Sequence, residues 1–160
     1  MSHDHDAEDL ATAEEIKAHH AVMIHDLDHL ASSLDTAARS GDGFDDARSK
    51  LHEWVGAVLV PHAVEEEQMT YRAASELAEG APLIESMLSE HELIRATAKR
   101  VDSADDPRES AAYARMLFEI FHSHQRKEDD IIVPMLLKAD GVSLSDLVGD
   151  ATAHDHHHHH

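Results

Sequence analysis

The 160-residue chain carries 33 acidic against 13 basic side chains, a formal charge of −20, and no cysteine. Such a surface repels nucleic acid and anionic membranes, and the missing thiols exclude disulfides, thiolate metal sites and cysteine nucleophiles. No run approaches the roughly 20 apolar residues that cross a bilayer, and the polar, acidic start lacks the basic and apolar regions of a signal peptide. A cytoplasmic protein of one compact domain, without nucleic-acid or membrane partners, is expected.

Residues 1–11 read as a disordered acidic tail. Beyond them alternation is rare, and four long segments place apolar residues three and four apart, the helical period. The first runs from about Thr12 to Arg39 with Ile16, Met23, Leu27, Leu30 and Leu34 on one stripe, and Ser40-Gly41-Asp42-Gly43 ends it. The second, from about Phe44 to Leu77, turns Leu51, Val55, Val58 and Met69 inward. A kink is expected at Pro61, which lacks a donor and crowds the preceding turn. Gly80-Ala81-Pro82 breaks the chain, and a first-turn proline opens the third helix, whose stripe is Ile84, Met87, Ile94, Ala98 and Val101. The fourth starts near Pro107 and uses Tyr113, Leu117, Ile120, Ile131 and Met135, to about Ala139, with a second kink at Pro134. Short turns between long helices predict an all-α fold, an up-down-up-down four-helix bundle over 12–139. Gly141 ends the fourth helix, and 140–152 is expected to hold a short C-terminal helix near Ser143 to Val148. Residues 153–160, with His154 and His156 to His160, look like a purification tag and are set aside from the fold.

Without that tag and the tail, nine histidines remain, and their positions matter more than their number. His20 lies four after Ile16 and three before Met23; His91 lies four after Met87 and three before Ile94. Two further histidines head a repeated pattern, His62-x-x-x-Glu66-Glu67-x-Met69 and His124-x-x-x-Glu128-Asp129-x-Ile131. A histidine and a carboxylate four apart share one helix face, and here that face is the apolar one. Burying both is costly unless something satisfies them, and a metal ion satisfies both at once. Each helix thus offers one inward histidine, and the second and fourth add Glu66 and Glu128. Six nitrogen and oxygen donors are too many for one tetrahedral zinc with an open position, but they suit two metals bridged by carboxylates. By ligand type alone the metal is iron, zinc, copper, nickel or manganese.

A single histidine on an apolar stripe is more often a satisfied core residue than a ligand; four at matched depth, two with carboxylates at i+4, favour metal. His19 adjoins His20, and a small helix rotation would exchange them; spacing from Ile16, Met23 and Leu27 favours His20. His25, His29 and His52 fall off the stripes and read as surface groups. Glu119-x-x-His122 has the spacing of ferritin-like di-iron proteins but occurs once, a coincidence. Trp54 reads as filling the bundle end, and Tyr71 and Tyr113 as packing residues. One member of each acidic run, 65–67 and 128–130, is expected to face in and the rest to be solvated. Glu90 and Glu92 are expected to flank His91 without entering the interior, and Met23, Val58, Ile94 and Ile131 to form an apolar shell.

The ordered set resembles the hemerythrin-like (HHE cation-binding) family, which carries a helix-one histidine, two His-x-x-x-Glu motifs and a helix-three histidine. The resemblance covers roughly 12–139 and extends to Glu67, Asp129 and the proline of Ile131-Ile132-Val133-Pro134. It implies two non-heme iron ions, oxo- or hydroxo-bridged, that bind or react with O2, peroxide or nitric oxide and draw on an electron donor of unspecified identity. His20 and His62 would bind one iron, His91 and His124 the other, with Glu66 and Glu128 bridging. Oxygen-carrying members place another histidine four after the helix-three histidine, where this chain has Arg95. One iron is then short of a protein ligand, and water, substrate, Glu65 or Tyr71 are candidates to replace it. An extra exchangeable position suits reaction with peroxide or nitric oxide better than reversible oxygen carriage. Three readings follow: a reactive di-iron protein, a non-enzymatic iron- or oxygen-sensing or storage module, and a purely structural bundle with titrating core histidines. No catalytic residue is assigned.

Overall fold

A computed structural model describes residues 3–148, with side chains from residue 7 onward. Among the described residues there is no strand, and none of the helices is long and apolar enough to cross a membrane. Helix α1 spans His3–Ser40. A second arm is broken into α2 (Phe44–Trp54), a π-turn (Val55–Leu59), α3 (Val60–Gln68) and α4 (Thr70–Ser75). Helix α5 spans Gly80–Ser103. A fourth arm joins α6 (Pro107–Lys127), a second π-turn (Glu128–Ile132) and α7 (Val133–Lys138). Helix α1 packs on α2 and α6, and α5 packs on α6 and on the second arm.

Local chemistry accounts for the punctuation. Gly41 and Gly43 take φ of 79° and 73°, left-handed conformations that stop α1 without the Cβ penalty other residues meet. Asp106 caps α6 by accepting from the Arg108 N–H, and Pro107 fills the first helical position, where no donor is needed. Gly80 stands where no side chain fits, since a Cβ there would lie 1.8 Å from the Ala74 carbonyl oxygen. That contact sets how α5 starts against α4.

The kinks expected at Pro61 and Pro134 are realised as the two π-turns, each just N-terminal to its proline. Proline leaves one carbonyl without its intrahelical donor and presses its ring on the turn below; widening that turn to i→i+5 bonding relieves both. The widened turn holds one extra residue, so every later position rotates by about 100°. The consequence corrects the sequence reading: Ile131, expected in the apolar shell, is 45% exposed, and Ile132 at 1% takes the inward place. In the second arm Leu59 is likewise buried, while Val58 is only half-buried.

Helix α1 also begins inside the stretch expected to be a disordered tail. Asp9 is buried, and its Oδ1 accepts from the Ser145 N–H at 2.9 Å and the Ser143 hydroxyl at 3.2 Å. This ties the helical turn 144–148 to α1. Residues 1–2 and 149–160, including the histidine run and the end of the expected C-terminal helix, lie outside the described residues.

Two apolar clusters form the core. One gathers Met23, Leu27, Leu59, Ile94, Leu117 and Phe121; the other gathers Tyr71, Ile84, Met87, Ile132 and Leu136. Every arm passes from one cluster to the other across a polar residue: Ile16–His20–Met23, Leu59–His62–Tyr71, Met87–His91–Ile94 and Phe121–His124–Ile132. A polar layer is therefore enclosed between two hydrophobic ones.

Candidate metal centre

The four arms place His20, His62, His91 and His124 in that layer, with Glu66 and Glu128 one helical turn along from the two motif histidines. Donor atoms of His20, His62, Glu66 and Glu128 all lie within 4.8 Å of one another, and those of Glu66, His91, His124 and Glu128 do the same. All six residues singled out in the sequence are thus brought together, and the two glutamates belong to both groups. His20 is 2% exposed. His19 is exposed and stands outside both groups, its ring centroid 5.4 Å from that of His62.

Three of the imidazoles are oriented from behind. Nδ1 of His20 lies 2.8 Å from Asp129, Nδ1 of His91 2.7 Å from Glu67, and Nδ1 of His124 2.8 Å from Glu90. A proton held on Nδ1 by a carboxylate leaves the Nε2 lone pair for the interior, the tautomer a metal-binding histidine needs. The Nε2 atoms do face the carboxylates: His62 is 3.0 Å from Glu66, His124 3.2 Å from Glu128, His91 3.5 Å from Glu66 and His20 3.5 Å from Glu128. Yet His62 Nε2, Glu66 Oε1 and Glu128 Oε2 are buried without a hydrogen-bond partner. Buried polar atoms are rarely left so. The donor set therefore fits cations between the two glutamates, which would satisfy these atoms together.

Protonation at the site follows the same geometry. Burial raises the Glu66 carboxyl, but the neighbouring Glu128, His62 and His20 outweigh it and hold Glu66 well below the usual range. Burial pushes Glu128 well above that range, and the Glu66 charge adds to it. Of these two adjacent buried carboxylates, Glu128 is the one pushed toward its neutral form. Burial alone would lower His20, but its bonds to Asp129 and Glu66 lift it to about 9. His91 is raised because Glu66 and Glu67 outweigh its burial; His124 is lowered because burial prevails over Glu90.

Several side chains differ from the sequence reading. Glu67 and Asp129, expected to be solvated, and Glu90, expected only to flank His91, each hold an imidazole; Glu90 also pairs with Lys127. The recurrence of an acidic residue directly after each motif glutamate was the available signal. Tyr71, read as a packing residue and also named among the candidate donors, is buried with its hydroxyl against the Nε2 atoms of His91 and His124 and the Glu128 carboxylate. Burial, then the charges of Glu66 and Glu128, push its phenol far up, so it is a neutral donor. Arg95 does not enter either group; it reaches Glu67 at 3.1 Å. His25, His29 and His52 are exposed, and His122 lines a separate surface depression with Glu119. Trp54 meets Phe121 edge-on at 6.2 Å, as expected of a packing residue. Met69, expected inward, is half-buried and lines a cavity of about 230 Å³ that opens onto the His20–His62 half of the centre, with Ile16, Ile132, Val133 and Leu147 among its walls.

The family model for the hemerythrin HHE cation binding domain matches residues 11–136. The chain belongs to the hemerythrin HHE cation-binding family. No curated protein and no solved structure matches it.

Proposed function

We propose that this chain is an up-down-up-down four-helix bundle holding two iron ions side by side, and that it binds or reacts with a small oxidant such as O2, peroxide or nitric oxide. The observation that carries the reading is the sharing of Glu66 and Glu128 by two four-residue donor groups. His20 and His62 would hold one iron and His91 and His124 the other, with the two glutamates common to both. Paired iron supplies reversible electron transfer and exchangeable coordination positions. The chain's own contribution is to fix three imidazole tautomers through Asp129, Glu67 and Glu90, and to wall the centre with apolar side chains. The cavity beside His20 and His62 gives a small ligand a way in, and its apolar walls limit water. Nitrogen and oxygen donors admit other divalent metals; iron is favoured by the family and by the paired carboxylates. An external electron donor would complete turnover.

The test is iron content and an optical spectrum of tag-free protein, since the histidine run binds metal by itself. Two irons per chain and a spectral change on adding peroxide, oxygen or nitric oxide are expected. One iron or none, or a spectrum indifferent to all three, refutes the proposal. Steady-state consumption of peroxide or nitric oxide then separates a reactive centre from a sensing or storage module.

A further inference from the structure

Tyr71 reaches the centre by an unusual local route. At Met69 the backbone takes φ −112° and ψ −78°, separating α3 from α4. The bend keeps its bonds, Met69 N–H to Glu65 and Ala73 N–H to Met69, and the Thr70 hydroxyl donates to the Glu66 carbonyl at 3.3 Å. A threonine bonding one turn back bends helices in this way. The bend delivers the phenol, 1% exposed, beneath His91, with ring centroids 5.1 Å apart and planes 26° from parallel.

The hydroxyl oxygen then sits 2.8 Å from His124 Nε2 and 3.2 Å from His91 Nε2, and bonds Glu128. A phenol has one hydrogen, which goes to Glu128. The two imidazoles have their Nδ1 protons engaged by carboxylates, so as neutral rings they offer only lone pairs toward the phenol. Three acceptors, His91 Nε2, His124 Nε2 and a Glu128 oxygen, thus converge on a phenol that can donate to one of them. Hydrogen bonding does not satisfy such a cluster, whereas a cation does. The spacings agree with that: metal bonds of about 2.1 Å at right angles place neighbouring donor atoms roughly 3.0 Å apart. The His124–Glu128 pair shows the same edge, 3.2 Å.

We propose that Tyr71 is itself a ligand of the cation held by His91 and His124, supplying through its phenol oxygen the protein donor that this cation lacks with arginine at position 95. The inference rests on the paired-metal reading above. A cation in contact with the oxygen reverses the local field that keeps the phenol neutral, and the displaced proton leaves to solvent. Arg95 stays occupied with Glu67, so it does not compete for the position.

The experiment is visible absorption and resonance Raman spectroscopy of the tag-free full chain, loaded anaerobically with ferrous iron and then oxidised. A ferric–phenolate charge-transfer band with tyrosine ring modes is expected. Those modes should shift when the protein is produced with ring-deuterated tyrosine, which needs no variant. They should persist in Tyr113→Phe, which leaves Tyr71 as the chain's one tyrosine, and vanish in Tyr71→Phe. Two irons per chain without phenolate modes overturn the inference and leave the proposed function standing. Persistence of the modes in Tyr71→Phe also overturns it. Failure of the wild type to bind iron removes both.

Discussion

Asp129→Asn separates what an outer carboxylate does for metal affinity from what it does for the proton that competes with metal. Asp129 Oδ1 lies 2.8 Å from His20 Nδ1, fixing the ring and strengthening Nε2 as a donor. Losing such a partner typically costs 10–100-fold in affinity, about 1.4–2.7 kcal/mol. The same carboxylate also acts in opposition. Together with Glu66 it overcomes burial and holds His20 near 9, so at neutral pH a proton must leave before the ring can ligate. Two pH units of that competition amount to about 100-fold. Wild-type affinity should therefore climb about tenfold per unit between roughly pH 7 and 9 and then level. The variant's curve should climb less and level earlier. The two curves converge near neutrality and separate by 10–100-fold above about pH 9. Chelator competition with zinc, a redox-inert probe, on tag-free protein gives both curves. An asparagine variant matching the wild type at about pH 9.5 refutes the reasoning. Stability of the metal-free protein reports the same group. His20 is raised above its ordinary 6.5, so it contributes stability that is complete below that pH and is lost as pH rises through about 9, roughly 3 kcal/mol in all. Asp129→Asn should flatten that slope in denaturant titrations.

Other perturbations test the frame. Glu66→Ala removes a donor common to both groups, so iron content should fall to near zero while far-UV circular dichroism stays helical; two retained irons would defeat the bridging model. Gly80→Ala forces a Cβ onto the Ala74 carbonyl and should cost about 1–3 kcal/mol, lowering the melting temperature by several degrees; an unchanged melt would deny the close approach. Asp9→Ala deletes the acceptor for Ser143 and Ser145 and should cost about 1 kcal/mol, seen as roughly fivefold faster amide exchange at 144–148; unaltered exchange would show that the turn is held by Leu144 packing alone.

The residues that meet at the centre were legible because each lies on a regular helical stretch, where i+4 spacing and apolar neighbours declare an inward face. His20, His91 and the two His-x-x-x-Glu pairs all satisfy that condition. Ile131 was misplaced because it follows an inserted residue, and a π-turn leaves no mark in periodicity counted at 3.6. The two prolines signalled a disturbance but not its form. Tyr71 was legible only in part: the family pattern made it one candidate for the position left by Arg95, but the bend at Met69, which sets its face, was hinted at by the Thr70 hydroxyl alone. Glu67, Glu90 and Asp129 grip rings on neighbouring helices, a relation between arms that no single-helix pattern contains. Asp9 was absorbed into a charged stretch that composition alone marks as solvated, and its partners lie more than 130 residues away.

The carboxylates behind the imidazoles bear on how the centre would tolerate a change in its own charge. Two divalent cations at the proposed centre would bring four positive charges against two negative ones from Glu66 and Glu128. Glu67, Asp129 and Glu90 add three more negative charges at one ring's remove, partly answered by Arg95 and Lys127. Were the proposed centre to gain positive charge, each Nδ1 proton would be drawn along its 2.7–2.8 Å bond toward the waiting carboxylate, which would make the ring a stronger electron donor. Asp129, Glu67 and Glu90 would then absorb a change of charge through short displacements of hydrogen nuclei.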